Sequence, residues 1–364
     1  KRGGEALIRG LALAVLLAQV ASAAEWNVRY FFDDERETLH FTALAFPSAN
    51  RGIAAGVITD EEGKHKPRGV AVITADGGNT WSQIQLQDEP VSLYFLDDSV
   101  GWMVTQGGIW KTEESGRTWK KLSGNPGSRL LKVWFLDAKH GFAVGLEKTV
   151  LESMDGGKTW KSVQAAAEPT GNKKFSFYSQ IEFANSQVGL IVGSAIPPTA
   201  RGFNTKGRQV PTMTLQLQTL DGGKTWKPTS APLLGEVTAL KMRAGVGLAL
   251  FTYNHQFEFL SEVYRLNLGN GSSPSVFQGK TRRVTDMALF PTGAYLVAIE
   301  PPARAEEPAF LPGAIHVLKS TDLQQWSEMP VDYQASGAHA LLAGPDAGHV
   351  FVATDSGMIL RLEP

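Results

Sequence analysis

The chain has 364 residues, of which 43% are hydrophobic and 20% charged, and its 35 basic and 36 acidic side chains leave a formal net charge of −1. That composition supports a large core, excludes a disordered chain, and provides no bulk field for nucleic acid or an anionic membrane, so a charged partner has to meet a local patch. Cysteine is absent, which rules out disulfides, thiolate metal sites and cysteine nucleophiles.

Residues 1–23 have a basic start, an apolar run from Leu11 to Val20 and the small-x-small string Ala21-Ser22-Ala23. This pattern predicts an export signal cleaved after Ala23, with the mature domain over 24–364. The apolar run is shorter than the roughly 20 residues a spanning helix needs, so the mature chain is expected to carry no transmembrane span and to reside in the periplasm or outside the cell. Next comes EWNVRYFF from Glu25, a strand-like run with no repeat of its own.

From there the chain is built of repeats. TADGGNTW begins at Thr74, TEESGRTW at Thr112, SMDGGKTW at Ser153 and TLDGGKTW at Thr219, and a shortened form, STDLQQW, begins at Ser320. A carboxylate beside two glycines and a hydroxyl invites a phosphate or metal reading, but recurrence at this frequency marks a structural unit. Each copy separates two short apolar runs, as expected of a hairpin turn whose glycines take backbone angles other residues avoid. Asp76, Glu114, Asp155, Asp221 and Asp322 are expected to accept hydrogen bonds from turn amides. Trp81, Trp119, Trp160, Trp226 and Trp326 are expected to open the following strand with a buried ring.

A second pattern lies upstream of the turns: LYFLDDSVGWMV from Leu93, VWFLDAKHGFAV from Val133 and IEFANSQVGLIV from Ile181. Together the two patterns define four-stranded units at 39–81, 91–119, 130–160 and 177–226, with decayed turns in units 237–277 and 284–326. A seventh starts near His339, but its VFVATDSGMILRL run aligns with WMVTQGGIWKT from Trp102 and the chain then stops one strand short. The strand from Glu25, with Trp26 near its start, supplies the missing piece. The expectation is an all-β, single seven-bladed β-propeller of four-stranded blades, closed by the N-terminal strand completing the last blade.

The S/T-x-D-x-G-x-T-W turn resembles the Asp-box, or bacterial neuraminidase repeat, and the surrounding unit is similar to that of the photosystem II stability and assembly factor-like propellers. The resemblance covers about residues 25 to 364. It implies an exported, non-catalytic, monomeric scaffold without cofactor that binds a protein partner and assists a membrane complex of the envelope. The competing reading is an extracellular glycan-binding protein or glycoside hydrolase of the Asp-box group. Against it, the early Arg-Ile-Pro motif of sialidases is missing, its nearest string being Tyr264-Arg265-Leu266-Asn267, and the chain holds one propeller where the xyloglucan-type hydrolases use two. The cysteine-rich module of the sorting receptors is also missing.

No catalytic signature stands out: there is no His-Glu-x-x-His, nucleophile elbow, P-loop or dinucleotide fingerprint. No catalytic, metal or cofactor residues are assigned. The seven histidines are scattered, His255 among them, and the acidic pairs Asp33-Asp34, Asp97-Asp98 and Glu306-Glu307 read as solvated turns. In an up-and-down blade the Asp-box turns share one face, and the long connections between second and third strands share the other with the blade linkers. Long loops on a rigid scaffold are where binding concentrates. The connection in blade four carries Arg201, Lys206 and Arg208, and the linkers on that face add Lys173, Lys174, Lys280, Arg282 and Arg283. These eight form the candidate partner-binding patch.

Overall fold

The computed structural model describes residues 24–60, 63–122, 129–196, 212–233, 235–253, 258–269, 271–300, 313–332 and 335–363, so the expected export segment 1–23 lies outside the described residues. Seven antiparallel sheets follow one another around an axis. From the innermost strand outward, blade one is Glu37–Ala45, Gly52–Asp60, Arg68–Thr74 and Ser82–Gln85; blade two is Pro90–Phe95, Gly101–Thr105, Gly108–Thr112 and Lys120–Lys121. Blade three is Leu130–Phe135, Gly141–Gly145, Thr149–Ser153 and Lys161–Ser162; blade four is Ser176–Phe183, Gly189–Ala195, Thr212–Thr219 and Lys227–Leu233. Blade five is Glu236–Arg243, Val246–Thr252, Ser261–Asn267 and Ser275–Gly279, and blade six is Arg283–Phe290, Gly293–Ile299, Gly313–Ser320 and Ser327–Met329. Blade seven is Ala340–Asp346, His349–Thr354 and Met358–Glu363, with Glu25–Phe31 as its outer strand. This is the expected seven-bladed propeller.

The second strands are the apolar heart of each blade, with every residue buried over Gly101–Thr105 and again over Gly141–Gly145. Buried on both faces, they carry near-continuous apolar residues instead of the alternation of a half-exposed strand. Several open on a glycine because the ring ending the first strand lies against its Cα. A Cβ on Gly141 would stand 2.4 Å from the Phe135 ring, and one on Gly189 would stand 2.5 Å from that of Phe183. The innermost strands of blades one to six each bulge by one residue, for example between Phe41 and Ala43 and between Val284 and Asp286. The displaced threonines reach the next blade: Thr42 Oγ1 donates to the Pro90 carbonyl at 2.9 Å and Thr285 Oγ1 to that of Ala340 at 2.8 Å.

Closure runs through Trp26. The first strand pairs with Met358–Glu363 in the register Trp26↔Leu362, Val28↔Leu360, Phe31↔Met358. Trp26 is fully buried and meets Tyr295 of blade six edge to face, with ring centroids 6.2 Å apart. Its backbone N–H also donates to the Pro330 carbonyl at 2.8 Å, so the strand is held by blade seven on one side and by the chain leaving blade six on the other. An edge left open here would expose a row of unpaired backbone groups.

Two outcomes test this closure. Trp26→Ala removes a fully buried ring at the seam and should cost about 3–5 kcal/mol in denaturant unfolding. Deleting residues 24–32 should lower the unfolding midpoint of the whole ring in one transition, and an unchanged midpoint would mean the seam is not structural.

Candidate partner-binding face

The Asp-box turns come out as self-contained hydrogen-bond networks. In blade three Ser153 Oγ donates to Asp155 Oδ1 at 2.9 Å and accepts the Gly157 N–H at 2.8 Å, while Thr159 gives its N–H to Oδ1 and its hydroxyl to Oδ2, at 2.9 and 2.6 Å. Asp76 and Asp221 repeat this pattern through Thr80 and Thr225. Blade two substitutes Glu114, which accepts the Thr118 hydroxyl at 2.7 Å, and blade six uses Asp322 to accept the N–H groups of Gln324 and Gln325, each at 2.8 Å. The threonine hydroxyl and then its N–H hold the carboxyls of Asp76, Asp155 and Asp221 down to about 2. With their oxygens spent on the turn, these carboxylates act as structural caps.

The turns also join blades. Trp81 meets Phe351 of blade seven, Trp226 meets Phe142 of blade three and Trp326 meets Phe277 of blade five, all edge to face. Trp119 packs with the Ile53 cluster of blade one and Trp160 with Trp102 and Leu122 of blade two. Each Asp-box tryptophan thus leans on the blade before its own, and Trp26 does the same from blade seven to blade six.

The opposite face carries the second-to-third-strand connections, which in blades one, four, five and six span the breaks Asp60 to Arg68, Ala195 to Thr212, Thr252 to Ser261 and Ile299 to Gly313. Strand direction brings the linkers out at this same end. Lys173 and Lys174 stand exposed on the short turn Lys173–Phe175, whose start is capped by Asn172 accepting the Lys174 N–H at 3.0 Å. Lys280 pairs with Glu258 and lies 5.3 Å above the Phe259 ring, Arg282 pairs with Glu328 at 2.6 Å, and Arg283 donates to the Ala338 carbonyl at 3.1 Å. Arg201, Lys206 and Arg208 lie outside the described residues, as do His255, Glu306 and Glu307. Of the five described bases, two are therefore tied to acids, and Lys173 and Lys174 carry the exposed charge. Glu300 engages His316 at 3.0 Å.

Sequence reading missed the charges around the axis. Lys132 Nζ lies 3.1 Å from Gln180 Oε1 and 3.4 Å from Glu182 Oε1, and Asp286 Oδ2 accepts the Leu342 N–H at 2.9 Å. Burial pushes the Lys132 ammonium down against the pull of Glu182; at Lys241 burial acts the same way, but Asp286 and Glu182 outweigh it and the net shift is upward. The available signal was a charged residue in four successive innermost strands: LLKVWF, SFYSQIEF, EVTALKMR and RVTDMALF. Alternating signs hold these four blades at the hub. Of the acidic pairs, Asp34 accepts the N–H groups of Arg36 and Glu37, and Asp97 those of Ser99 and Val100, as turn caps. No helix among the described residues is long and apolar enough to cross a membrane.

Comparison with known proteins agrees with this architecture. Residues 121–198 match the family described as photosynthesis system II assembly factor YCF48. Among curated proteins, 123 residues are 29% identical to the chloroplastic photosystem II stability/assembly factor HCF136 of Oryza sativa subsp. japonica, covering 32% of this chain and 24% of that protein. Over 43 residues the chain is 46% identical to the photosystem II assembly lipoprotein Ycf48 of Prochlorococcus marinus (strain MIT 9313), covering 12% of this chain and 13% of the relative. The matched stretches thus span a quarter or less of those relatives. Among solved structures, YCF48 bound to D1 peptide superposes with a TM-score of 0.59 at 16% identity, covering 93% of this chain and 97% of that one. YCF48 from Cyanidioschyzon merolae gives 0.58 at 14% identity, covering 93% and 98%. The chain is an Asp-box propeller like the photosystem II assembly factors, as its turns suggested.

The capped carboxylates give a sign for pH dependence. Their folded pKa values lie near 2 and their unfolded values near 3.9, so the stability they contribute is present above about pH 4 and is lost as pH falls through about 2. Acid unfolding should therefore be delayed to about pH 2–3, and replacing Asp76, Asp155 and Asp221 together with Asn should flatten the unfolding-midpoint profile between pH 4 and 2. Thr219→Val, which strips the buried hydroxyl from a Gly223 N–H 2.8 Å away, should cost about 1–3 kcal/mol. Equal stability of that variant would deny the turn its structural role.

Proposed function

We propose that this protein is an exported, non-catalytic and monomeric scaffold that holds a segment of a membrane protein complex on the long-loop face of its propeller, as an assembly or stability factor. One observation carries the reading most: the stretch that matches the assembly-factor family, residues 121–198, includes the linker with Lys173 and Lys174 and runs to the start of the longest connection. Support also comes from likeness along almost the whole chain to a propeller whose solved structure is titled as bound to D1 peptide. Export is supported by the signal-like residues 1–23 and by relatives named as a lipoprotein and as chloroplastic. A near-neutral net charge argues against nucleic acid as the partner, and favours a protein segment whose acidic side chains meet a local cluster of bases.

In this reading the basic residues steer such a segment, the exposed Lys173 and Lys174 of the linker among them. Paired bases such as Arg282 shape that surface without lending it free charge. A rim charge of this kind acts mainly on association rate and salt dependence, because water screens it.

The test is affinity capture from detergent-solubilised membranes of the source cell. Wild-type protein should retain a membrane-complex subunit, and a variant with Arg201→Glu, Lys206→Glu and Arg208→Glu should retain less, with a shallower dependence on salt and an unchanged unfolding midpoint. Equal capture by both would move the binding surface off the basic connections. Capture of no membrane-complex subunit by the wild type would sink the assembly reading.

A further inference from the structure

Six of the seven blade boundaries are closed by a tryptophan of the later blade: Trp81, Trp119, Trp160, Trp226, Trp326 and Trp26. The boundary between blades four and five has none. In blades one to four the tryptophan stands seven residues after the end of the third strand, as Trp226 follows Thr219. In blade five Leu266, opposite Gly247, holds the place of Thr219 opposite Gly189, and the seventh residue after it is Ser273.

Two further aromatic positions are reduced at the same boundary. Met242, paired with Gly247, holds the register that Phe135 and Phe183 hold opposite Gly141 and Gly189. Leu190 follows Gly189 where Trp102 follows Gly101 and Phe142 follows Gly141. The result is an apolar cleft of about 760 Å³ between the two blades, walled by Leu190, Val192, Phe251 and Tyr264 among others, with a smaller space of about 190 Å³ beside Leu190, Met242 and Gly271. Thr214 lines the cleft, is 8% exposed, and its Oγ1 has no hydrogen-bond partner. A buried hydroxyl left unpaired is costly.

We infer that this cleft is a receptor site for an aromatic side chain supplied by an extended segment of a partner polypeptide, seated where the other boundaries hold their own tryptophan. The equivalent boundaries show the chemistry of the occupant, an indole-sized ring entering from a backbone that runs along the blade. The shape favours an extended chain over a compact molecule. One wall is the outer strand Lys227–Leu233, whose seven residues span roughly 20 Å, and the apolar Leu233 on it is 36% exposed. Pro228 and Pro232 interrupt the outer edge of that strand, which disfavours addition of a further strand and leaves side-chain insertion as the mode. The site does not depend on which complex the scaffold serves.

The experiment uses the acetylated, amidated peptide Gly-Trp-Gly, with Gly-Ala-Gly and free indole as controls, in calorimetric titration of the full chain. The tryptophan peptide should bind, the alanine peptide should not, and free indole should bind about tenfold more weakly because it lacks the backbone. Ser273→Trp and Leu190→Phe should each abolish binding while raising the unfolding midpoint. No binding of the tryptophan peptide, or equal binding by wild type and both filled variants, would overturn the assignment. Indole binding as tightly as the peptide would make the cleft a small-molecule pocket, and a wild-type dimer that Ser273→Trp dissolves would give it to a second copy; either result also overturns the proposal. Peptide binding should survive in the variant with Arg201→Glu, Lys206→Glu and Arg208→Glu, which separates failure here from failure of the basic-face reading.

Discussion

The contact of each Asp-box turn with the blade before it governs the architecture, because a blade of four short strands cannot bury its own faces. Outer strands as brief as Lys120–Lys121 and Lys161–Ser162 contribute little pairing of their own. What holds that rim is the turn: the carboxylate and the Ser or Thr hydroxyl fix its backbone, the glycines let it pass close to the neighbour, and the tryptophan covers the seam. Trp102 Nε1 donating to the Gly156 carbonyl at 3.0 Å shows the same joint from the other side, from blade two into the turn of blade three. At the seventh seam Arg361 reaches the Gly77 carbonyl and Asn79 Oδ1, both at 2.8 Å, so the last blade grips the first turn.

A ring built this way separates its duties by radius and by face. The hub is polar and charged, with Lys132, Glu182, Lys241 and Asp286 on successive innermost strands, and breaking one member would leave an uncompensated charge in a confined space. The middle of each blade is closely packed and apolar. One face is committed to the Asp-box turns, whose polar atoms are consumed internally. Freedom to vary remains on the opposite face, where the connections of blades one, four, five and six lengthen without disturbing a seam. That division is why a chain full of motif-like carboxylates offers so little chemistry at the motif and so much surface elsewhere.

Fold was more legible than site, for physical reasons visible in single residues. Turns leave a strong local signature because glycine, a capping carboxylate and a hydroxyl must sit at set spacings, so Thr74 to Trp81 and its repeats could be read directly. The missing strand was also legible, since Met358–Glu363 lacked an outer neighbour and Glu25–Phe31 lacked a blade. The ion pairs Arg282–Glu328 and Lys280–Glu258 were not, because they join positions 46 and 22 residues apart and depend on how linkers fold over the rim. The hub charges had a signal in each innermost strand but no meaning until the ring brought four strands to one axis. Arg201, Lys206 and Arg208 were grouped with the linker bases from strand direction alone, which gives the face of a loop and not the position of its side chains.

The boundary between blades four and five ties these observations together. Reading 237–277 as a unit with a decayed turn treats the loss of Asp and Trp there as drift. In the ring that loss coincides with a methionine in the register of a phenylalanine and a leucine where its counterparts are aromatic, all three facing one seam. Independent drift at three positions would be expected to loosen the seam, yet the flanking strands are long and regular: Lys227–Leu233 pairs along its whole length with Thr212–Thr219, and Val246–Thr252 with Ser261–Asn267. Glu262 beside the cleft is held by four donors, Tyr253, Tyr264, Ser275 and Gln278, which keeps a buried carboxylate satisfied without help from the neighbouring blade. Blade five has therefore replaced an inter-blade seal with an internal polar clamp. A wall that is rigid on both sides and open between them is the arrangement expected of a preformed receptor, in which little ordering entropy opposes the entry of a partner side chain.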